Sequence, residues 1–162
     1  MTKRNTVRTD DYMFYAQRSS GFCVLFCLVL FIAMEEMSAA DSPSATGLWK
    51  NEDASFEIYE ESGKLSAKIV SLREPLAPDG EKKTDIHNPD VGKHSRPIIG
   101  MVFMTGFTSA GSGKWENGTI YDPQSGKTYS CNMELEGTNT LKVRGYIGIS
   151  LIGRTEIWKR AN

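Results

Sequence analysis

The chain has 162 residues, 40% of them hydrophobic, with 19 Lys and Arg against 20 Asp and Glu, a size and balance that suit one globular domain. Four basic and four acidic residues fall in the first forty, which leaves 15 and 16 for residues 41–162. That near-neutrality gives no basic footprint for nucleic acid and no polybasic patch for a membrane surface.

Residues 21–33 read GFCVLFCLVLFIA, without a charge. As a helix this run would cover about 20 Å, short of the roughly 30 Å hydrocarbon core of a bilayer. Lys3, Arg4, Arg8 and Arg18 precede it, and Ser38-Ala39-Ala40 stands before Asp41. A basic flank, a short apolar core and small residues before the cut are the parts of a secretory signal. Residues 1–40 are therefore expected to be a signal peptide, cleaved between Ala40 and Asp41. Residues 41–45 then form a short tail and 46–160 the folded domain, periplasmic or secreted, with no stable membrane span after cleavage. Met13 would serve equally well as a start, because Arg18 still precedes the apolar core. Cys23 and Cys27 follow phenylalanines rather than small residues, which argues against a lipid-anchored cysteine. Both leave with the signal. Cys131 alone remains, so the domain must be held by its core and not by a disulfide.

Beyond the tail, Thr46 to Trp49 starts a first strand. Ser55 to Tyr59 and Leu65 to Ile69 alternate apolar and polar residues around the turn Glu61-Ser62-Gly63-Lys64, the period of a half-buried sheet. From Arg73 to Arg96 the pattern stops, broken by Pro75, Pro78-Asp79-Gly80 and Asn88-Pro89-Asp90. A loop of that length in a compact domain is usually functional or disordered; here it is expected to fold over one end as a lid. Order is expected to return at Pro97 to Met104, then at Trp115 to Tyr121 and Lys127 to Leu135. Cys131 shares a face with Tyr129, Met133 and Leu135, which reads as a buried, unreactive thiol. The last stretch, Leu141 to Arg160, mixes apolar and β-branched residues with glycines, as bending strands do, and encloses Arg144 and Arg154. Eight strands with mostly short connections predict an all-β, up-and-down closed barrel, and closure removes the exposed sheet edges; an open sandwich is the alternative arrangement.

Gly47-Leu48-Trp49 on the first strand, with an arginine on the last, resembles the calycin signature of lipocalins and their relatives. A closer likeness rests on HNPD (87–90), RPIIG (96–100), IYDPQSGKTY (120–129) and VRGYIGISLIGRTEIW (143–158). These look like the exported bacterial family known as domain of unknown function 2147, over essentially all of 46–160. The resemblance implies a lipocalin-like barrel in the bacterial envelope, without implying an activity. Some relatives carry cysteines in the loop before RPIIG; this chain has none there, so no thiol role carries over. Asn117-Gly118-Thr119 matches a glycosylation pattern that has no meaning in a bacterium.

In the calycin pattern the tryptophan packs across one barrel end and the arginine covers it. Arg154 shares parity with Glu156 and Trp158 and is assigned as that brace over Trp49, a role that suits a planar fork able to stack and donate together. A ligand counter-charge is the alternative, and parity alone does not say which face points inward. Trp49, Tyr129, Arg144, Tyr146 and Arg154 are the candidate ligand-binding residues. In the loop, Asp85, His87, Asn88, Asp90 and Arg96 are the candidates. Asp85, His87 and Asp90 could ligate a metal, but Asn-Pro-Asp is also good turn chemistry, and no metal or cofactor is expected. No nucleophile is placed to work with His87 or His94, so an enzyme is not expected. The leading expectation is a binding module for a small, largely apolar ligand. The alternative is a structural or interaction protein of the envelope with a filled barrel. Ligand identity and oligomeric state are not written in the sequence.

Overall fold

The computed structural model describes residues 44–161; the expected signal segment and its expected cleavage point lie outside the described residues. Eight antiparallel strands follow in chain order: β1 (Gly47–Lys50), β2 (Ala54–Glu61), β3 (Lys64–Leu72), β4 (Val102–Gly111), β5 (Lys114–Asp122), β6 (Lys127–Glu136), β7 (Thr140–Tyr146) and β8 (Gly153–Arg160). Each pairs with the next, and β1 returns to β8 through Trp49–Arg160 and Lys50–Lys159, so the barrel closes. The expected all-β, up-and-down, eight-stranded barrel is what forms. One 3-10 turn, Val91–Lys93, is the sole helical element among the described residues.

Period-two patterning sets the inner face. Phe56 pairs with Ile69, Ile58 with Ala67 and Met133 with Val143, and all six side chains are buried. Two hairpins turn on two residues each, Ser62-Gly63 and Ser112-Gly113, with positive φ at both positions. That is the type I′ turn, whose twist matches the strands it joins.

On β5 the simple alternation breaks. Trp115, Gly118 and Ile120 pair with Met133, Cys131 and Tyr129 on the inner face, although their spacings are three and two. A bulge at Asn117, φ 62°, absorbs the extra residue. Gly118 is required there because the Phe107 ring occupies the place of its missing Cβ. β4 begins at Val102 and not at Pro97 as the apolar run suggested. Pro97 to Met101 is loop, yet Ile98 and Met101 are buried, tied down by Ile69 N donating to Met101 O and Ile98 N to Lys83 O. Burial without a strand produces the same apolar pattern.

One half of the barrel is solid, with Trp49, Ile58, Met104, Phe107, Trp115 and Leu141 buried in it. Its end is closed by Arg160, not by Arg154. The Arg160 guanidinium lies over the Trp49 ring and donates to the carbonyls of Ser44, Thr46 and Thr138. Trp49 Nε1 donates to Ala45 O at 2.7 Å. Gly47, at φ 116°, passes so close that a Cβ would lie 3.1 Å from the arginine. Arg154 shares the inward parity of Arg160 but sits at the opposite end, with 87% of its side chain exposed. The brace is the arginine three pairs of residues further along the same face.

Candidate functional site

The other half of the barrel is hollow. A cavity of about 1470 Å³ opens at the end away from Trp49 and is covered in part by the β3–β4 connection. Its floor is aromatic: Phe56 stacks on Trp158 with ring centres 4.1 Å apart, and Phe103 lies 5.2 Å from Phe56. Such pairs add about 0.5–1.5 kcal/mol beyond the area they bury, so the floor is firm. Ile69, Ile120, Tyr129, Val143 and Gly145 form the walls, and Ile147, Ile152 and Arg154 stand at the rim.

One carboxylate sits inside this apolar wall. Glu156 projects from β8 between Arg154 and Trp158. Its Oε2 accepts from Trp158 Nε1 and from Asn51 Nδ2, both at 3.3 Å. Its Oε1 has only a loose 3.7 Å approach from Arg154.

The β3–β4 connection folds as the expected lid, with residues from Arg73 to His87 lining the cavity. Its anchor is Asp85, which is fully buried. Tyr121 Oη donates to Asp85 Oδ1 at 2.6 Å; Arg96 and Asn88 donate to Oδ2 at 2.6 and 2.7 Å. Burial alone would raise this carboxyl, but the hydrogen bonds from Tyr121, Asn88 and Arg96, with the arginine's charge, outweigh it and hold Asp85 below the usual carboxylate range. Burial first, and then the bond to Asp85, push the Tyr121 phenol upward. A second clamp is steric. Gly126 in the β5–β6 turn, φ 69°, lies so close to the His87 carbonyl that a Cβ would fall on it.

Of the loop candidates, Asp85, Asn88 and Arg96 thus come together as an anchor, and His87 lines the cavity. Asp90 instead caps the 3-10 turn, accepting from Gly92 N at 3.0 Å, while Asn88 Oδ1 accepts from Asp90 N. This is the Asn-Pro-Asp turn chemistry read from the sequence. Among the described residues no group of three or more His, Cys, Asp or Glu is placed to hold a metal ion.

The barrel candidates divide. Tyr129 lines the wall and Arg154 the rim. Trp49 lies in the solid half, away from the cavity. Arg144 is on the outer face: it donates to Ser150 O, Leu151 O and Thr155 Oγ1 and so holds the β7–β8 loop in shape. Tyr146 borders the mouth, with its hydroxyl reaching Asn132 at 3.5 Å. The sequence reading passed over Phe56, Val143 and Glu156, which form the interior. Period two marked Phe56 and Val143 as inward, but nothing local distinguishes an inward residue that fills from one that lines.

Cys131 is buried beneath the wall. Desolvation, and then the nearby Glu156 charge, push its thiol up to about 12. Among the described residues no helix is long and apolar enough to cross a membrane, which says nothing of membrane β-barrels.

Comparison with known proteins extends this geometry. The Helicobacter pylori protein HP1028, described as belonging to the lipocalin family, superposes with a TM-score of 0.66 at 25% identity, over 75% of this chain and 85% of that one. No curated protein matches the chain. Residues 47–160, from the first residue of β1 to the last of β8, match a family described as uncharacterized protein conserved in bacteria (DUF2147). The chain is a member of that bacterial family, DUF2147, built on a lipocalin-like barrel.

Proposed function

We propose that the protein is an exported binding module that holds one small, largely apolar ligand in the open half of its barrel. The observation that carries this reading is the cavity of about 1470 Å³ where a filled barrel would have side chains. An aromatic floor and aliphatic walls offer the apolar contact on which small-molecule sites rely. The lid, fixed through Asp85 and Gly126, gives the mouth a defined shape before any ligand arrives, which lowers the ordering cost of binding. The lipocalin-family neighbour supports the reading by fold analogy. Export is supported by the composition of residues 1–40 and implies a mature chain beginning at Asp41, which an intact-mass measurement on exported protein checks.

The test is a fluorescence titration with N-phenyl-1-naphthylamine, a neutral apolar probe, on the wild type and on Gly145→Phe. Gly145 faces the cavity beside Ile120, where a Cβ meets only an ordinary contact at 3.5 Å, so the new ring projects into the space without backbone strain. The reading requires saturable one-to-one binding by the wild type and at least tenfold weaker binding by the filled variant. Equal binding by both would place the probe elsewhere and reject the cavity as the site.

A further inference from the structure

One carboxylate of the cavity adjoins its aromatic floor, and its chemistry selects a class of ligand. We infer that the barrel takes a cationic amphiphile, an amine or ammonium group on an apolar body, with the cation held at Glu156 and the body on the aromatic floor. This inference rests on the binding reading above and narrows it.

Glu156 meets the requirements in three respects. It lies on the inner face of β8, immediately before Trp158 in the inward alternation, so its carboxylate adjoins the Phe56–Trp158 stack. Both of its modest hydrogen bonds fall on Oε2, from Trp158 and Asn51, which leaves Oε1 with acceptor capacity to spare. Its one ion-pair partner among the described residues, Arg154, stands 3.7 Å off with 87% of its side chain in solvent. An exposed pair of that kind contributes about 0–1 kcal/mol, so an ammonium can displace it at little cost.

The surrounding charge points the same way. Six of the ionisable side chains lining the cavity are acidic and four are lysine or arginine. Arg73 pairs with Asp53 at 2.7 Å and Lys83 approaches Glu74 at 3.9 Å, which takes out two of each sign and leaves the same acidic excess of two. An acidic balance around a low-dielectric cup raises the local concentration of cations and disfavours anions such as fatty acids. Tyr129 in the wall presents an aromatic surface to the same space, a further preference for a cation.

Three probes of equal tail length separate the outcomes: dodecyltrimethylammonium, dodecanol and dodecanoate, each competed against N-phenyl-1-naphthylamine. The wild type should bind the ammonium about tenfold more tightly than the alcohol, the scale of one charge-assisted contact, and the carboxylate most weakly. Glu156→Gln should erase the preference for the cation and leave dodecanol unchanged. Arg154→Gln, which removes the competitor, should tighten the ammonium further. Equal binding of all three probes, or tightest binding of dodecanoate with loss in Arg154→Gln, overturns the inference while the binding function stands. Failure of all three to displace a bound neutral probe overturns the inference alone, whereas absence of saturable binding by the neutral probe itself overturns the binding function with it.

Discussion

The Arg160 guanidinium lies 4.2 Å from the centre of the Trp49 ring, and the same group donates to three carbonyls. Those carbonyls belong to the segment before β1 and to the β6–β7 turn, so one side chain ties together both ends of the domain and seals its solid end.

Arg160→Ala should therefore lower stability by about 1–3 kcal/mol, through lost bonds and an uncovered indole. Lysine should restore only part, since it cannot stack flat and donate along a fork. Arg154→Ala should leave the unfolding free energy within about 0.5 kcal/mol of wild type, as an exposed surface change does. Urea titrations of the three variants check this.

The lid anchor makes a prediction about pH. Asp85 is held below its ordinary value in the folded state, so its contribution is fully present above the unfolded carboxyl pKa of about 3.9 and is lost as pH falls through the lower folded value. Asp85→Asn should remove that acidic dependence and loosen the lid at neutral pH. Hydrogen exchange should show faster amides at Ile86 and Asn88, whose N–H groups bond to Thr84 O and Asp85 O, while the solid half keeps its protection.

The thiol offers a probe of the wall. With burial holding Cys131 at about 12, almost none is thiolate at pH 8, and the thiolate is the reactive form. On a chain that begins at Asp41, iodoacetamide should leave the native protein unmodified at pH 8 and add one carbamidomethyl group in denaturant, read by intact mass. Rapid native modification would show that the wall opens readily.

Strand count, closure and the buried thiol were legible because they depend on period two and on turn residues. Ser62-Gly63 announces its hairpin, and Tyr129-x-Cys131-x-Met133 announces its inner face. The identity of the brace was not legible. Arg154 and Arg160 share a parity, and only the register of β1 on β8 puts the second beside Trp49. The inner face of β5 is hidden for a related reason, since the bulge at Asn117 switches parity within one strand. The lid was visible as a stretch without period, and its Asn88-Pro89-Asp90 turn was visible in its residues. Its fastening to Tyr121 was not, because a contact between residues 85 and 121 is made by the closure of the barrel. Glu156 is marked in the sequence only by its parity with Arg154 and Trp158. A strand that is solid at one end and hollow at the other carries the same alternation throughout, so the cavity leaves no periodic mark.

The central claim is that the open half of the barrel holds a ligand, and native mass spectrometry of protein purified from its own host tests it most directly. The wild type should carry one non-covalent adduct of small-molecule mass, released on denaturation and absent from Gly145→Phe. A bare wild-type protein that also takes up neither dodecanol nor dodecyltrimethylammonium would contradict the claim.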